Sequence, residues 1–515
     1  MAKNLAKIFA AELEGIEAKL IEVEVDINVG LHSFNIVGLA DKAISEAKER
    51  VNAALKNTGI KPPTKENRRI TINLAPADIK KTGSQFDLAI ALGYLLASEQ
   101  IKKFDASDKM FLGELSLDGT LRPISGVLNS AQLAKKSGVK YLFIPKENAD
   151  EAATIKDIVI IPVSNLGELI NHLEEKTLII PHPPAKLEFQ ENISLVKINE
   201  IKGQENAKRA LAVAAAGNHH VLMTGSPGTG KTMLAQALLS ILPSVSLDEL
   251  IEINRIYSAA GILKEAKFIT HRPFRSPHHT ASPVSVIGGG SNPKPGEISL
   301  AHRGILFLDE LPEFRRDLLE ALRQPIESGT VHISRVKNTL TFPAKFTLVG
   351  AMNPCPCGYF NDPEKECRCT ANEVFRYQKR VSGPLLDRID IQIDVPRITV
   401  EELTSPLKNH ANRDTDILKG KIKIARAMQA ERFAKVNPKI YTNSEMTSTQ
   451  CDELINLSPK AETFIKNLLE KSFVSARGYY RILKTARTVA DLDASEKVEE
   501  HHAAEAFQYR MKEEK

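Results

Sequence analysis

Short apolar runs that stop at glycine or at carboxylates set the pattern of the middle of the chain. Val221, Leu222 and Met223 form one such run, which predicts a buried strand leading straight into Gly225. A helix is predicted from about Thr232 to Leu242. Gly304 opens a second run whose apolar residues end in Asp309-Glu310, and a third, Phe346 to Gly350, ends at Asn353. The four apolar residues Ile305–Leu308 of the second run predict a central strand buried on both faces. Ile389, Ile391, Ile393 and Val395 alternate with polar residues and predict another strand. Beyond Thr399 the pattern turns helical to the end of the chain.

Upstream the periods are mixed. Ile70, Ile72 and Leu74 alternate in a half-buried strand, and Ile44, Ala47, Val51, Ala54 and Leu55 follow helical spacing over Lys42–Lys56, closed by Gly59. Lys81–Ala97 reads as a loop entering a helix that is apolar nearly all round, hence buried. Leu112–Asn148 reads as hairpin, helix and strand in turn. Residues 1–165 therefore predict an α+β domain of mixed strands. The stretch 166–192, with Pro181–Lys186, predicts a linker, 193–398 an α/β domain, and 399–515 a helical domain.

The chemistry concentrates where the apolar runs end. Gly225-Ser226-Pro227-Gly228-Thr229-Gly230-Lys231-Thr232 fits the phosphate-loop pattern. Its glycines let successive N–H groups turn around a phosphate, Lys231 carries charge to the β- and γ-phosphates, and the Thr232 hydroxyl completes a Mg²⁺ shell. Asp309, about eighty residues downstream, would hold Mg²⁺ through water, and Glu310 would polarise the attacking water. Cys355-Pro-Cys357 and Cys367-Arg-Cys369 are two C-x-C pairs separated by nine residues. Four thiolates on so short a loop suit tetrahedral Zn²⁺, with free or redox-active thiols as the alternative.

Composition narrows the class. With 515 residues and 42% hydrophobic content the chain fills about three domains. No apolar run approaches the ~18 residues of a membrane span. The N-terminus turns acidic too early for a secretory signal, and five cysteines, four of them bunched, suit a reducing cytoplasm. A net charge of +5 is too weak to argue nucleic acid, so any basic surface is local. Three stretches qualify. One is Lys264–His279, with Arg272 and Arg275; another is the hairpin expected over Val331–Phe342, with Arg335 and Lys337 at its tip. The third, Lys419–Lys439, carries seven basic residues against Glu431, but such a run is usually a solvated helix face, so it ranks last of the three. His278-His279 suggests a phosphate contact or a structural role.

Two resemblances add to this. GELSLDGTLRPISGV (Gly113–Val127) followed by YLFIPKEN (Tyr141–Asn148) resembles the proteolytic domain of Lon-type proteases, a ribosomal protein S5 domain 2-like fold. The positions matching that family's nucleophile and base are Gln85 and Leu128, which can serve as neither. Ser84 lies one residue off and reads as a helix cap, so the domain is expected to be structural or regulatory. HRPFRSPHHTAS (His271–Ser282), GGGSNPKPGEISLAHRGILFLDELPEF (Gly288–Phe314), NPCPCGY (Asn353–Tyr359) and SGPLLDRIDI (Ser382–Ile391) together resemble the magnesium-chelatase-like AAA+ ATPases. The Lon-like domain and the cysteines point to their ComM/YifB branch.

That resemblance implies an AAA+ P-loop core with a helical lid, using ATP and Mg²⁺. Ile201 and Gln204 would border the adenine, and Asn353 would orient water at the γ-phosphate. Arg388 would be an arginine finger reaching a neighbouring subunit, an ordinary Asp–Arg pair being the alternative. Arg477 and Arg481, one turn apart on the same helix face, would both lie at the nucleotide, and one of them, Arg477 by preference, would sense the γ-phosphate. The expected activity is that of a homo-hexameric motor on single-stranded or branched DNA, promoting branch migration during natural transformation alongside recombination proteins. The rival is a chelatase-like ATPase that remodels a protein partner.

Overall fold

Gly15 turns the chain between its first two strands, β1 (Leu5–Glu14) and β2 (Glu17–Val29), with φ at +67° where a side chain would be strained. Both strands escape the expectations above, although Ile21, Val23, Val25 and Ile27 alternate with Glu22, Glu24 and Asp26 along β2 and are buried. With β3 (Ser33–Val37), β4 (Arg68–Ala75), β5 (Lys109–Phe111), β6 (Tyr141–Pro145) and β7 (Val159–Val163) they form one mixed sheet, ordered β3-β4-β2-β1-β5-β6-β7. The helix Asp87–Ala97 lies on it. Gly93 permits the approach, since a Cβ there would stand 2.6 Å from Val25 Cγ2.

Two expectations change here. The single helix over Lys42–Lys56 is broken at Glu46 into Lys42–Ser45, capped by Asp41, and Ala47–Asn57. The linker does not begin at residue 166. Leu166, Leu169 and Ile170 sit at helical spacing in the helix Leu166–Leu173 and are buried, and the His182 amide donates to the Ile160 carbonyl. This apolar spacing outweighs the prolines that follow.

The structure is a computed structural model and describes residues 5–65, 67–185, 192, 194–263, 268–290, 293–334, 339–404, 411–437, 439–471 and 474–510. These form two compact units. The first comprises Met1–Glu188, Ile251–Ile269 and Ser334–Phe342; the second comprises Phe189–Leu250, Thr270–Ile333 and Pro343–Lys515. The α/β region expected over 193–398 is therefore not contiguous: two of its segments belong with the first unit. One of them includes residues 339–342, where Leu340 and Phe342 lie in contact range of Gly15.

The second unit is built on five parallel strands, β8 (Val221–Thr224), β9 (Phe274–Arg275), β10 (Ile305–Leu308), β11 (Thr347–Met352) and β12 (Ile391–Asp394), in the order β9-β10-β11-β8-β12. Helices carry the rest of this unit, from Ala411–Arg432 through Pro459–Lys471 and Ala476–Leu492 to Glu500–Gln508. Their own core gathers Phe433, Met446, Cys451, Ile465, Ile482 and Leu483. Among the described residues no helix is long and apolar enough to cross a membrane.

Glu12, on β1, is only 2% exposed. Burial raises its pKa to about 7, against hydrogen bonds from Thr82. The folded first unit thus binds a proton that the unfolded chain releases near pH 4.5, and stability falls as pH rises between these two values. The loss totals about 3 kcal/mol. Hydrogen exchange of β1 and β2 amides, corrected for intrinsic rates, should show less protection at pH 8 than at pH 5. Glu12→Gln should flatten the difference, and an unchanged slope in that variant would contradict the assignment.

Candidate nucleotide site

The centre of the second sheet delivers the phosphate loop. Strand β8 is buried between β11 and β12 and ends at Thr224, and the helix Lys231–Ile241 begins after Gly230. Between them Gly225 lies so close to β12's exit that a Cβ would stand 2.4 Å from the Val395 carbonyl oxygen. Gly228 and Gly230 have φ of +81° and +87° and open space where a Cβ would project, which makes a cradle that only glycine leaves free. Within the loop the Thr229 hydroxyl donates to the Ser226 carbonyl at 3.0 Å.

Three strand ends converge on this cradle. The Lys231 ammonium donates to the carbonyls of Gly225 (2.7 Å) and Ser226 (3.0 Å) and to Asn353 Oδ1 (3.3 Å), just beyond β11. Burial lowers its pKa, and nearby Asp309 opposes the shift. Beyond β10, Asp309 Oδ2 accepts from the Thr232 hydroxyl at 2.8 Å. A hydroxyl and a carboxylate side by side, facing a phosphate cradle, are the protein oxygens a Mg²⁺–nucleotide requires. Glu310 follows with φ at +51°. Its carboxylate lies 3.6 Å from His279 Nδ1, and His279 in turn packs edge-on to Phe314. Sequence alone did not associate His279 with Glu310; they are distant in the chain.

At the cradle's rim, Gln204 (φ +58°) precedes the helix Glu205–Gly217 and donates to the Pro396 carbonyl at 2.6 Å. Pro396 adjoins the Val395 that packs on Gly225. Ile201 is buried nearby in sequence and joins the core under β8.

The arginines fall into two clusters. Arg388 and Arg477 both engage Glu327, each at 2.7 Å, and Arg388 also donates to the Pro384 carbonyl. Two cations hold this half-exposed carboxylate's pKa down, although burial opposes them. Arg481 is not with them. It lies 2.5 Å from Asp390, a fully buried carboxylate at the foot of β12 that also faces His219. Burial alone would raise the pKa of Asp390; Arg481 and His219 hold it well below the usual range. The nucleotide contact expected of Arg481 is therefore corrected: a buried carboxylate needs its charge.

The same correction applies to one of the four expected DNA contacts, Arg272. Arg272 is 7% exposed and donates to the carbonyls of Pro243, Arg303 and Ser244 and to both oxygens of Glu249. Burial would raise the pKa of Glu249, yet Arg272 brings it down to about 2. Arg275 is paired through two bonds with Glu297. Arg335 and Lys337 lie outside the described residues. In the third basic run Arg426, Arg432 and Lys439 engage Ala215, Asp491 and Asp248, while Lys421 and Lys423 are exposed.

The cysteines come together as their spacing implies. Cys355, Cys357 and Cys367 have sulfur separations of 3.4–3.7 Å, and with Cys369 all four sulfurs lie within 4.8 Å of one another. Tetrahedral Zn²⁺ with ~2.3 Å bonds sets its sulfurs about 3.8 Å apart, so the residues fit the ion. Cys451 is buried and apart from this group.

In the first unit, Gln85 donates to Glu12 and to the Thr82 carbonyl, and Leu128 is fully buried, so neither offers a nucleophile or a base. Ser84 is not the helix cap it was expected to be: its hydroxyl donates to Glu114.

Comparison with known proteins fits this geometry. Models of the magnesium chelatase subunit ChlI match residues 197–403 and 23–148, and the model of that subunit's C-terminal region matches 412–510. The chain is 41% identical over 517 residues to competence protein ComM of Haemophilus influenzae, covering 98% of this chain and 97% of that one. It belongs to the ComM/YifB family of magnesium-chelatase-like AAA+ ATPases. YifB of Escherichia coli is 39% identical over 496 residues, 96% of this chain and 95% of its own. The Lon protease of Brucella suis biovar 1 is 30% identical over 169 residues, 32% of this chain and 20% of that protease. The fold of this ComM/YifB member is thus an AAA+ α/β core with a helical C-terminal region and a Lon-like N-terminal unit. Family membership makes it an ATPase that uses ATP and Mg²⁺.

Removing one partner of a buried ion pair leaves the other charge stranded, at about 3–5 kcal/mol. Arg272→Ala should therefore lower the melting temperature by about 10 °C. Thermal unfolding measures this; a variant that melts like the wild type would return Arg272 to the surface candidates.

Proposed function

We propose that this ComM/YifB member is a cytoplasmic ATP-driven motor that works on single-stranded or branched DNA. It would act as a ring of six and promote branch migration when transforming DNA is recombined, alongside recombination proteins. The full-length match to a competence protein carries this reading. Each side chain has a part. Lys231 and the loop amides would bind the phosphates, Thr232 and, through water, Asp309 would hold Mg²⁺, Glu310 would take a proton from the attacking water, and Asn353 would orient that water. Bound Mg²⁺ supplies Lewis-acid charge at the β- and γ-phosphate oxygens. Gln204 and Ile201 border the base.

Arg388 and Arg477 share one carboxylate outside the Lys231–Asn353 and Thr232–Asp309 contacts. This grouping supports a role for both at a neighbouring subunit's nucleotide, and so supports assembly. Cys355, Cys357, Cys367 and Cys369 would hold one structural Zn²⁺. A second reading, remodelling of a protein partner, is favoured by one observation: Arg272 and Arg275, half of the named DNA contacts, are engaged inside the second unit.

Lys231→Ala should abolish nucleotide binding. Glu310→Gln should bind ATP but hydrolyse it at least about 100-fold more slowly, the range general-base loss produces. Turnover unchanged in Glu310→Gln would remove it from catalysis.

Assembly and DNA are tested together by light scattering with ATP and by ATPase titrated with single-stranded and branched DNA at two salt concentrations. The motor reading expects hexamers, DNA-stimulated turnover and binding that weakens with salt. Arg388→Ala should keep ATP binding and lose about 1,000-fold in hydrolysis. Turnover indifferent to DNA would leave the protein-remodelling reading standing.

A further inference from the structure

The loop between the two cysteine pairs touches the phosphate loop at two points, and nothing in the ATPase chemistry above requires either. Asp362, midway between Cys357 and Cys367, has a side chain only 1% exposed. Its Oδ2 accepts from the Ser226 hydroxyl of the phosphate loop at 2.5 Å and from Arg397 Nε at 2.9 Å. Its Oδ1 accepts from the amides of Glu364 and Lys365, both at 3.0 Å, which ties the carboxylate to its own loop. The second contact is Gly358, at φ +84°, where a Cβ would stand 2.5 Å from Pro227 Cδ.

Each neighbour fixes this arrangement further. Arg397, just beyond β12, also pairs with Glu364 and lies over the Tyr359 ring at 5.6 Å, so the cation is held by the same loop it neutralises. The Ser226 hydroxyl is committed to Asp362. The carboxylate's pKa is held to about 2, first by the Ser226 hydrogen bond and then, against burial, by the two amides and Arg397. A buried carboxylate accepting four hydrogen bonds is a rigid strut. Its far end is anchored by a loop whose ends are drawn together by Cys355, Cys357, Cys367 and Cys369.

We propose that Asp362 is a positioning residue for the phosphate loop, and that the four-thiolate loop acts on nucleotide affinity through the Asp362–Ser226 contact. The proposal rests on the Zn²⁺ reading for its second half only. With the metal in place the loop is closed and Ser226 is fixed, so the cradle around Gly228 and Gly230 is preset for phosphate. Loss of the metal lets the loop relax and returns that ordering cost to nucleotide binding. The site would thereby report metal supply to the motor as a change in ATP affinity.

The test uses the full chain, with elemental analysis, a fluorescent ATP analogue for affinity, and steady-state kinetics for KM and kcat. Asp362→Asn should keep about one zinc per chain, weaken nucleotide about 10-fold and leave kcat nearly unchanged, as loss of one charge-assisted bond predicts. Ser226→Ala, which leaves the Asp362–Arg397 pair intact, should weaken nucleotide to the same extent, and the double variant should bind no worse than either. Chelating the metal from the wild type should give the same loss and add nothing to Asp362→Asn. Unchanged affinity in both single variants, or additive losses, would overturn the positioning role. A folded wild type purified without metal, in which Asp362→Asn still weakens binding, would overturn the metal half and keep the Asp362–Ser226 half.

Discussion

Strand β8 pairs in parallel with β11 on one side and β12 on the other, with Val221 opposite both Val349 and Ile391. Strand β10 pairs with β11 so that Leu308 lies opposite Gly350. This register brings the ends of β8, β10 and β11 within two residues of one level, and in an open parallel sheet that edge is where ligands sit. Asn353 and Asp309 are the first residues past the ends of β11 and β10, and Lys231 opens the helix that follows β8 through the phosphate loop, so the three side chains meet there. A shift of one residue in any of the three pairings would turn alternate side chains to the other face. It would carry Asn353 or Asp309 out of reach of the cradle. The apolar strands are therefore part of the chemistry, since their burial is what forbids the shift.

A second constraint is charge. The sheet's lower end buries Asp390, and the unit answers with Arg481 and His219. Glu249 is answered by Arg272 in the same way. Each pair removes an arginine that looked available for phosphate. Burying one partner costs several kcal/mol unless the other is brought in with good geometry, so these arginines have no freedom to do anything else. The arginines that remain with a half-exposed partner, Arg388 and Arg477 on Glu327, are those whose release costs least.

The legibility of the chain follows from range. Buried strands announce themselves as apolar runs, and the phosphate loop and cysteine pairs are written in consecutive residues, so β8, β10 and β11 and the groups at their ends were readable. Strand β2 carried a clear period of two that matched no motif and passed unread, and β1 beside it, apolar at most positions, passed unread with it. Partner choice was not readable at all. Arg272 and Glu249, Arg481 and Asp390, Asp362 and Ser226, and His279 and Glu310 are remote in sequence, and nothing local to either member of a pair selects the other. The residue 166 boundary failed for a related reason. Prolines near Pro181 suggested a linker, while Leu166, Leu169 and Ile170 already had a core to enter.

Left-handed backbone marks the site from two directions. At Gly228 and Gly230 the space a Cβ would take is open, so the glycines are explained by conformation and by the approach of a phosphate, not by crowding. Glu310 adopts the same region with a full side chain, which costs of order 1 kcal/mol or more. A glycine there would remove the strain and also the carboxylate. The strain is therefore evidence that a carboxylate is needed at that point of the chain: the turn after Asp309 must change direction sharply, since Leu311 is buried and Pro312 follows it. His279 lies beside Glu310, with Nδ1 3.6 Å from this half-exposed carboxylate. The catalytic part proposed for Glu310 is the reading under which both the strain and this neighbour have a reason.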